Sequence, residues 1–269
     1  MESQSTIGLI AGKSQFPSLV VQGIQQAGHN VVAVGFKGHT QDNISRLSNS
    51  FLWLQIGQLG KMIRFFKRLS VRYIIFAGGI NKPRVIDLRP DFKAAKLLFQ
   101  THSKSDNNVL QLLVQTLEKE GFQIISPFEF IPELKTPSGI LTHRSPTVQE
   151  NKDIEFGWPL AKRFGSMDIG QCLVIKKQIV VAVEAIEGTD STIKRAGELV
   201  GQDCVVLKIF KPGQEEHVDQ PAIGKETIET MIQAKASCLA IESGKSLFFD
   251  RDQSIQMANQ AGISIVGYH

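Results

Sequence analysis

Short apolar runs alternate with amphipathic stretches through the first half of the chain. Runs rich in β-branched and aliphatic residues predict buried strands, and apolar positions three and four residues apart predict helices. Strands are expected at residues 7–11, 30–35, 51–56, 72–77 and 122–125, and helices at residues 17–27, 57–70, 91–100 and 105–120. Because strands and helices alternate, we predict an α/β fold that begins with a doubly wound, Rossmann-like parallel sheet domain.

The second half of the chain has a different pattern. Two apolar runs, at residues 171–175 and 179–184, are separated by a short Lys-Lys-Gln turn, which predicts an antiparallel hairpin. A helix is expected at residues 189–199, with a Thr or Asp near its start as the cap. Other strands are expected at residues 204–209, 238–241, 247–249 and 264–266, and other helices at residues 153–164, 226–236 and 251–261. We therefore predict a distinct α+β C-terminal domain.

Between the two halves lies a stretch with little periodicity. Residues 126–150 contain four of the ten prolines of the chain. This composition is typical of a connection between domains. We predict a nucleotide-binding-like domain at residues 1–130, a Pro-rich linker at 131–150 and a catalytic-type domain at 151–269.

Charge is spread unevenly over an ordinary globular composition, in which 42% of the residues are hydrophobic and 21% are charged. Residues 1–100 carry 13 Lys and Arg against 4 Asp and Glu, whereas residues 101–269 carry 17 against 22. The basic half indicates an anionic partner. Lys61, Arg64 and Arg68 share one face of a predicted helix, which favours a solvated face, with peripheral contact with an anionic membrane surface as the alternative. We expect no nucleic-acid partner and keep the formation of a homo-oligomer as a hypothesis.

Cysteine usage points to a reducing compartment. Cys172, Cys204 and Cys238 are far apart and lie in apolar runs, so we expect them to be buried and reduced, without a zinc site. The first residues are polar, and every apolar run is much shorter than the ~20 residues of a membrane span. These features predict a cytoplasmic location.

Two glycine turns in the first half are candidates for substrate binding. Gly12, Lys13 and Ser14 follow the first predicted strand, where a helix N-terminus would offer backbone N–H groups to a phosphate. Gly8 and Gly12 are separated by three residues, not the four of a P-loop, and the dinucleotide fingerprint is missing. Gly78 and Gly79 follow the fourth strand, and ligands of open α/β sheets lie beyond such strand ends. Ordinary turn glycines are the alternative at both places.

Two polar segments in the second half are candidates for chemistry. Residues 184–190 place three carboxylates and a hydroxyl between a strand and a helix, and residues 208–224 combine lysines, an amide, a histidine and an aspartate. Carboxylate oxygens suit Mg²⁺, and lysines neutralise phosphate oxygens as charge develops. The pattern favours metal-assisted phosphoryl chemistry, with a solvated surface loop as the alternative.

Several of these segments together resemble one enzyme family. The segments that carry the resemblance are GSMDIGQ (165–171), EAIEGTD (184–190), KIFKPGQ (208–214), VDQPAIG (218–224) and GISIVG (262–267). In this order and spacing they resemble the LpxI-type UDP-2,3-diacylglucosamine pyrophosphatases of lipid A biosynthesis, over residues 6–268. The resemblance implies a lipid-linked sugar nucleotide substrate and Mg²⁺-dependent hydrolysis to UMP and 2,3-diacylglucosamine 1-phosphate (lipid X).

The resemblance also assigns roles to individual residues. Asp219 corresponds to the essential aspartate of the family, and Lys208 and Lys211 are the further catalytic candidates. The resemblance implies Thr189 and Gln214 as substrate-binding residues, and Glu184 and Asp190 as metal ligands beside Asp219. The chain departs from the family pattern at five positions: Lys13, Ser105, Asn107, His217 and Gln220. A non-catalytic nucleotide-sugar or lipid-binding module and a dinucleotide-dependent oxidoreductase are the alternative functions.

Overall fold

The computed structural model of the chain describes residues 4–80, 90–100, 106–215 and 217–269, except the side chains of 98–100 and 106–108. Contacts divide the chain into two compact units. Unit 1 comprises Met1–Glu133 together with Glu215–Asp219, and unit 2 comprises Leu134–Gln214 together with Gln220–His269. Of the departures from the family pattern, Ser105 and the side chain of Asn107 lie outside the described residues.

Unit 1 is built on a five-stranded sheet in the order β3-β2-β1-β4-β5, with every pair of neighbours parallel. The strands are β1 (Thr6–Ala11), β2 (Asn30–Phe36), β3 (Ser50–Leu54), β4 (Tyr73–Ala77) and β5 (Gln123–Ile124). Both faces of the central strands are buried, which is why they read as continuous apolar runs rather than alternating ones. The predicted doubly wound parallel sheet is confirmed.

Helices connect the strands of unit 1. They are α1 (Phe16–Gln26), α2 (Asn43–Leu47), α3 (Leu59–Arg68), α4 (Phe92–Gln100) and α5 (Asp106–Lys119). The sequence pattern missed α2, because five residues are too few to show a helical period. Along α3 the apolar residues are buried, while Lys61, Arg64, Lys67 and Arg68 are exposed. This exposed side of α3 is called the basic face below.

Unit 2 contains a six-stranded mixed sheet in the order β6-β13-β11-β9-β7-β8. Strands β9, β11 and β13 are parallel, whereas β7 is antiparallel to both β8 and β9, and β6 is antiparallel to β13. The strands are β6 (Gly139–Ile140), β7 (Cys172–Lys176), β8 (Ile179–Val183), β9 (Val205–Lys208), β11 (Cys238–Glu242) and β13 (Ser264–Tyr268). A separate short sheet pairs β10 (Ala222–Ile223) with β12 (Leu247–Phe248). The distinct mixed C-terminal domain is confirmed.

The hairpin predicted between β7 and β8 is also confirmed. Its turn residues Lys177 and Gln178 have left-handed φ values of 49° and 60°. The buried Asp153 carboxylate stabilises this turn, because it accepts the backbone N–H groups of both residues at 2.9 and 2.7 Å. Such a turn matches the twist of the two strands it joins.

The helices of unit 2 cover both sides of its six-stranded sheet. They are α6 (Val148–Ser166), α7 (Thr189–Val200), α8 (Lys225–Gln233) and α9 (Arg251–Gln260). Helix α6 begins five residues before its predicted start, because Thr147 and Glu150 form a reciprocal capping box. Ile154 and Trp158 of α6 pack in one core cluster, and residues of α7, α8 and α9 pack in another. The three cysteines are free and buried, as predicted.

The short strands β6 and β10 were not predicted from the sequence. Each has two residues, too few to display the alternation that identifies a strand. Among the described residues, no helix is long and apolar enough to cross a membrane.

Candidate functional site

Strand β9 ends at a buried lysine. Lys208 is the last residue of β9 and is 5% exposed, and its Nζ donates a hydrogen bond to the carbonyl oxygen of Ala222 at 2.7 Å. Across the antiparallel pair its partner is Cys172, the first residue of β7. A buried ammonium needs polar partners. The lysine therefore carries a positive charge into the end of the sheet, where one carbonyl already orients it.

The segment that follows β9 is a tight turn closed by an amide side chain. Gln214 is buried, and its side-chain Oε1 accepts the backbone N–H of Lys211 at 3.2 Å. The backbone N–H of Gln214 in turn donates to the Lys211 carbonyl at 3.2 Å. Gly213 within the turn has a φ of 80°, a region that favours glycine. The turn fixes the backbone of Lys211, whose Nζ donates to Asp168 Oδ1 at 2.7 Å.

Glu184 directly follows β8 and is 7% exposed. One oxygen accepts the N–H of Gln171 at 3.1 Å, and the other accepts the Thr189 hydroxyl at 3.2 Å. The predicted cap of α7 by a Thr or Asp side chain is wrong, because the N-cap is Gly188 with a φ of 83° and no side-chain hydrogen bond. The Thr189 hydroxyl instead contacts the carboxylate that precedes the helix.

The loop between α6 and β7 joins these two groups of side chains. Asp168 of this loop binds Lys211. The backbone N–H of Gln171 donates to the Glu184 carboxylate, and the carbonyl of Gln171 accepts the N–H of Ile209 at 2.9 Å. Gly170 permits the packing, since a Cβ there would lie 2.3 Å from the Glu184 carbonyl oxygen. We name Lys208, Lys211, Gln214, Glu184, Thr189 and Asp168 the lysine–carboxylate cluster.

The charges of this cluster act on the buried thiol at the start of β7. Burial raises the pKa of Cys172, the carboxylates of Glu184 and Asp190 raise this pKa further, and the Lys208 ammonium opposes them. Asp190 is exposed in the first turn of α7. Lysine and carboxylate charges therefore converge on one end of the β7–β9 pair, where burial above all keeps the thiol protonated and unreactive.

Asp219 belongs by its contacts to the other unit. The segment Glu215–Asp219 groups with unit 1, where Val218 packs against the hydrophobic core. The Asp219 backbone N–H donates to the Glu215 carbonyl at 3.1 Å, and the residue is exposed. Lys208, Lys211, Gln214, Glu184 and Asp190 belong to unit 2.

The predicted metal ligands do not form a preassembled cage. Over the described parts of the chain, no group of three or more His, Cys, Asp or Glu side chains is placed to hold a metal ion. Mg²⁺ usually takes only one or two carboxylates and completes its shell with water and substrate phosphates. The oxygen donors present therefore suit Mg²⁺ bound together with a phosphate. The assignment of Asp219, Glu184 and Asp190 as its ligands stays a prediction.

The two glycine turns of unit 1 lie against each other. Gly12 donates its N–H to the Ala77 carbonyl, and Lys13 donates to the Gly79 carbonyl, both at 2.8 Å. A Cβ on Gly12 would lie 2.2 Å from the carbonyl oxygen of Gly78, so only glycine allows this approach. The turns thus share the carboxyl edge of β1 and β4, although phosphate binding by Gly12, Lys13, Ser14, Gly78 and Gly79 stays a prediction.

Lys13 also affects a histidine in the same unit. Burial and, after it, the charge of Lys13 lower the pKa of His39 below its ordinary value. His39 lies three residues beyond the end of β2, and the hydroxyl of the next residue, Thr40, donates to the Ala11 carbonyl at 2.5 Å, so the loop that follows β2 lies against the end of β1.

Sequence reasoning did not single out Asp168, Gln171, Lys162 or Glu242. Lys162 of α6 and Glu242 of β11 form an ion pair beside the segment that follows β9. The signal for Asp168 and Gln171 was present, because both lie in the glycine-flanked GSMDIGQ segment. Nothing in the sequence pattern relates Lys162 to Glu242, which are 80 residues apart.

Fold and site together define a two-unit α/β protein with clustered lysines and carboxylates at the end of a mixed sheet. Comparison with known protein families matches two family models in succession: the LpxI N-terminal domain over residues 6–134 and the LpxI C-terminal domain over residues 137–266. The UDP-2,3-diacylglucosamine pyrophosphatase LpxI of Caulobacter vibrioides is 30% identical over 272 residues, which cover 97% of this chain and 96% of that protein. The chain belongs to the LpxI family, as its motifs indicated.

Two solved structures show a weak similarity to the chain. The biotin carboxylase domain of the Hydrogenobacter thermophilus 2-oxoglutarate carboxylase has a TM-score of 0.28 and 14% identity, with 64% of this chain and 35% of that chain covered. The N5-carboxyaminoimidazole ribonucleotide synthetase of Thermotoga maritima has a TM-score of 0.29 and 10% identity, with 68% and 42% covered. Similarity at this level supports no argument on function.

Proposed function

We propose that this protein hydrolyses the pyrophosphate of UDP-2,3-diacylglucosamine to UMP and 2,3-diacylglucosamine 1-phosphate, a step of lipid A biosynthesis. The observation that carries the proposal is the similarity to a pyrophosphatase of that name along 97% of the chain. The reaction adds one water to a phosphorus atom of the pyrophosphate and breaks its bridging P–O bond. A site for it must neutralise phosphate charge and orient a water.

The lysine–carboxylate cluster supplies the first of these requirements. Lys208 and Lys211 place two ammonium groups within four residues, each oriented by an oxygen acceptor. Oriented cations stabilise charge that builds up on phosphate oxygens, and they act most strongly where water is excluded. Gln214 and Thr189 add polar groups at the same end of unit 2. We assign both lysines to charge stabilisation, and Gln214 and Thr189 to substrate contacts.

A carboxylate near the attacking water is the second requirement. We assign this role to Asp219, which is exposed and corresponds to the essential aspartate that the family resemblance implies. We also propose Mg²⁺ as the cofactor, with Asp219, Glu184 and Asp190 as the residues that would hold it. When bound, Mg²⁺ would act as a Lewis acid on phosphate oxygens. Without metal, the lysines bind the pyrophosphate, and Glu184 keeps Thr189 in place.

An acylated substrate resides in a lipid bilayer, so we propose peripheral contact with the cytoplasmic surface of the inner membrane. Helix α3 contains no acidic residue, and its basic face carries four exposed cations, of which Lys67 is paired with Glu120 of a neighbouring segment. Phe92, at the start of α4, is 86% exposed, and its backbone lies near α3 because the Asp91 carboxylate accepts the N–H of Gly60 at 2.7 Å. An exposed aromatic ring beside cations is typical of surfaces that bind anionic lipids.

Vesicle sedimentation tests the membrane contact. Binding to vesicles with anionic phosphatidylglycerol is expected to fall on Phe92→Ala and on Arg64→Gln substitution, and to be weak on neutral phosphatidylcholine. Equal binding of wild type and both variants would reject the basic face of α3 as the contact surface.

The function is tested with purified protein and UDP-2,3-diacylglucosamine, at a series of Mg²⁺ concentrations and with EDTA. Release of UMP that depends on the metal is expected. Tight binding of substrate without turnover at saturating Mg²⁺ would favour the nucleotide-sugar-binding or lipid-binding alternative. Binding of NAD(P)H would favour the oxidoreductase alternative.

A further inference from the structure

In unit 2, one ion pair forms hydrogen bonds with both the backbone N–H and the backbone carbonyl of a single residue, Phe210. The Glu242 carboxylate accepts the N–H of Phe210 at 2.8 Å through Oε2, and the same oxygen accepts a hydrogen bond from Lys162 Nζ. Lys162 Nζ also donates to the Phe210 carbonyl oxygen at 3.0 Å. Glu242 and Phe210 are buried, so these groups cannot exchange their partners for water without a cost.

Phe210 lies between the two lysines of the lysine–carboxylate cluster. Lys208 ends β9, Phe210 comes two residues later, and Lys211 follows at once. The pair itself comes from two rigid elements, since Lys162 lies on α6 and Glu242 is the last residue of β11. The carboxyl end of β9 is thus clamped from a helix on one side and a neighbouring strand on the other.

A comparable ion pair at the other end of the same strands serves as a reference. Arg144 binds Glu150 through two hydrogen bonds of 2.8 and 2.9 Å, and it donates to the carbonyl of Gly262, which precedes β13. The carboxylates of Glu150 and Glu242 are 8% and 9% exposed, and their cationic partners 32% and 31%. The two pairs are matched in burial, but only the Lys162–Glu242 pair lies beside the proposed catalytic lysines.

We propose that Lys162 and Glu242 are positioning residues, which fix the backbone at Phe210 so that Lys208 and Lys211 present their ammonium groups to the same pyrophosphate. An ion pair between a buried carboxylate and a partly exposed ammonium is often no more stabilising than a packed apolar pair, and we assign conformational specificity as its contribution here. Phosphate recognition needs such specificity, because misplacement of a binding group by about 1 Å costs on the order of 100-fold in rate. This inference rests on the proposed function, since it deepens the roles of Lys208 and Lys211.

The test compares steady-state kinetics and thermal unfolding of Glu242→Gln, Lys162→Gln and the matched control Glu150→Gln. Glu242→Gln and Lys162→Gln are expected to lower kcat/KM for UDP-2,3-diacylglucosamine at least tenfold at a temperature where all variants are folded. Glu150→Gln is expected to lower the Tm by a similar amount and to keep kcat/KM within twofold of wild type. Wild-type kinetics in Glu242→Gln and Lys162→Gln would overturn the proposal.

A double-substitution cycle separates positioning from general damage. Addition of Glu242→Gln to a Lys211→Met background is expected to cost less than the tenfold that it costs in the wild type, because one of the two groups that Glu242 positions is already gone. An undiminished tenfold loss in that background would show that Glu242 does not act through Lys211 and would overturn the assignment.

Failure of the proposed function is distinguishable from failure of this inference. If the wild type does not hydrolyse UDP-2,3-diacylglucosamine, calorimetric titration with inorganic pyrophosphate still measures the anion binding that we assign to Lys208 and Lys211. Glu242→Gln is then expected to weaken pyrophosphate binding as Lys211→Met does. Unchanged affinity in Glu242→Gln, or no binding by the wild type, would overturn the positioning role.

Discussion

Asp168 Oδ1 lies 2.7 Å from Lys211 Nζ, although the two residues are 43 positions apart in the chain. Asp168 has a left-handed φ of 56° in the loop between α6 and β7, and Lys211 stands in the turn that follows β9. Both side chains are more than three-quarters buried. The contact therefore ties together two of the segments that carry the family resemblance, and it holds a proposed catalytic ammonium in one orientation.

Substitution Asp168→Asn tests this contact. A hydrogen bond to a charged group contributes roughly 1.5–3 kcal/mol, and an amide retains only part of it. We expect kcat/KM for UDP-2,3-diacylglucosamine to fall about tenfold. The control is Glu229→Gln, which breaks an exposed ion pair of 3.8 Å with Lys225 and is expected to leave the kinetics unchanged. Wild-type kinetics in Asp168→Asn would show that the function of Lys211 does not depend on its ion pair with Asp168.

The contact of the two glycine turns is tested by Gly12→Ala. The new Cβ would lie 2.2 Å from the Gly78 carbonyl oxygen, so the backbone must shift. We expect a loss of about 1–3 kcal/mol in the free energy of unfolding, the usual cost of overpacking. Gly79→Ala is the matched control, because nothing lies within 4 Å of its Cβ position. Equal stability of both variants in urea denaturation would contradict the close approach.

His39 reports on the predicted phosphate contact at Lys13. Burial and the Lys13 charge lower the pKa of His39, so an NMR titration should give a value below 6.5. Lys13→Gln removes the second cause and is expected to raise this pKa. A phosphate bound at Lys13 would also raise it, because an anion favours the protonated imidazole. A His39 pKa that is insensitive both to Lys13→Gln and to added UMP would reject Lys13 as a phosphate ligand.

Acid stability should depend on Glu150. Burial alone would raise its pKa, but the hydrogen bonds from Arg144 and the Thr147 N–H, together with the Arg144 charge, lower the pKa below its ordinary value. A carboxyl with a depressed folded-state pKa contributes stability above its unfolded pKa, near 4.5, and loses this contribution as the pH falls through the folded value.

We therefore expect the free energy of unfolding of the wild type to drop more steeply below pH 4.5 than that of Glu150→Gln. Urea denaturation at pH 3 to 7 measures both curves. Parallel curves would mean that Glu150 titrates alike in the folded and unfolded states.

The sequence revealed the strands of unit 1 and the hairpin of unit 2, because hydrophobic periodicity reflects burial on a sheet. It did not reveal α2, β6 or β10, which are too short to show a period. The glycine-flanked turns and the lysines of the KIFKPGQ segment stood out by composition. The partners that orient them did not, because Asp168 and Glu242 are brought to Lys211 and Phe210 only by strand order.

Parallel analysis of the products formed by wild type and Asp219→Ala tests the proposed pyrophosphatase activity and the role of Asp219 in it. UDP-2,3-diacylglucosamine is incubated with each protein and Mg²⁺, and the products are separated by thin-layer chromatography. We expect equimolar UMP and 2,3-diacylglucosamine 1-phosphate from the wild type and a loss of at least about 100-fold in Asp219→Ala, because this substitution removes a group that acts in the transition state. Absence of both products from the wild type, or release of UDP instead of UMP, would contradict the proposed activity.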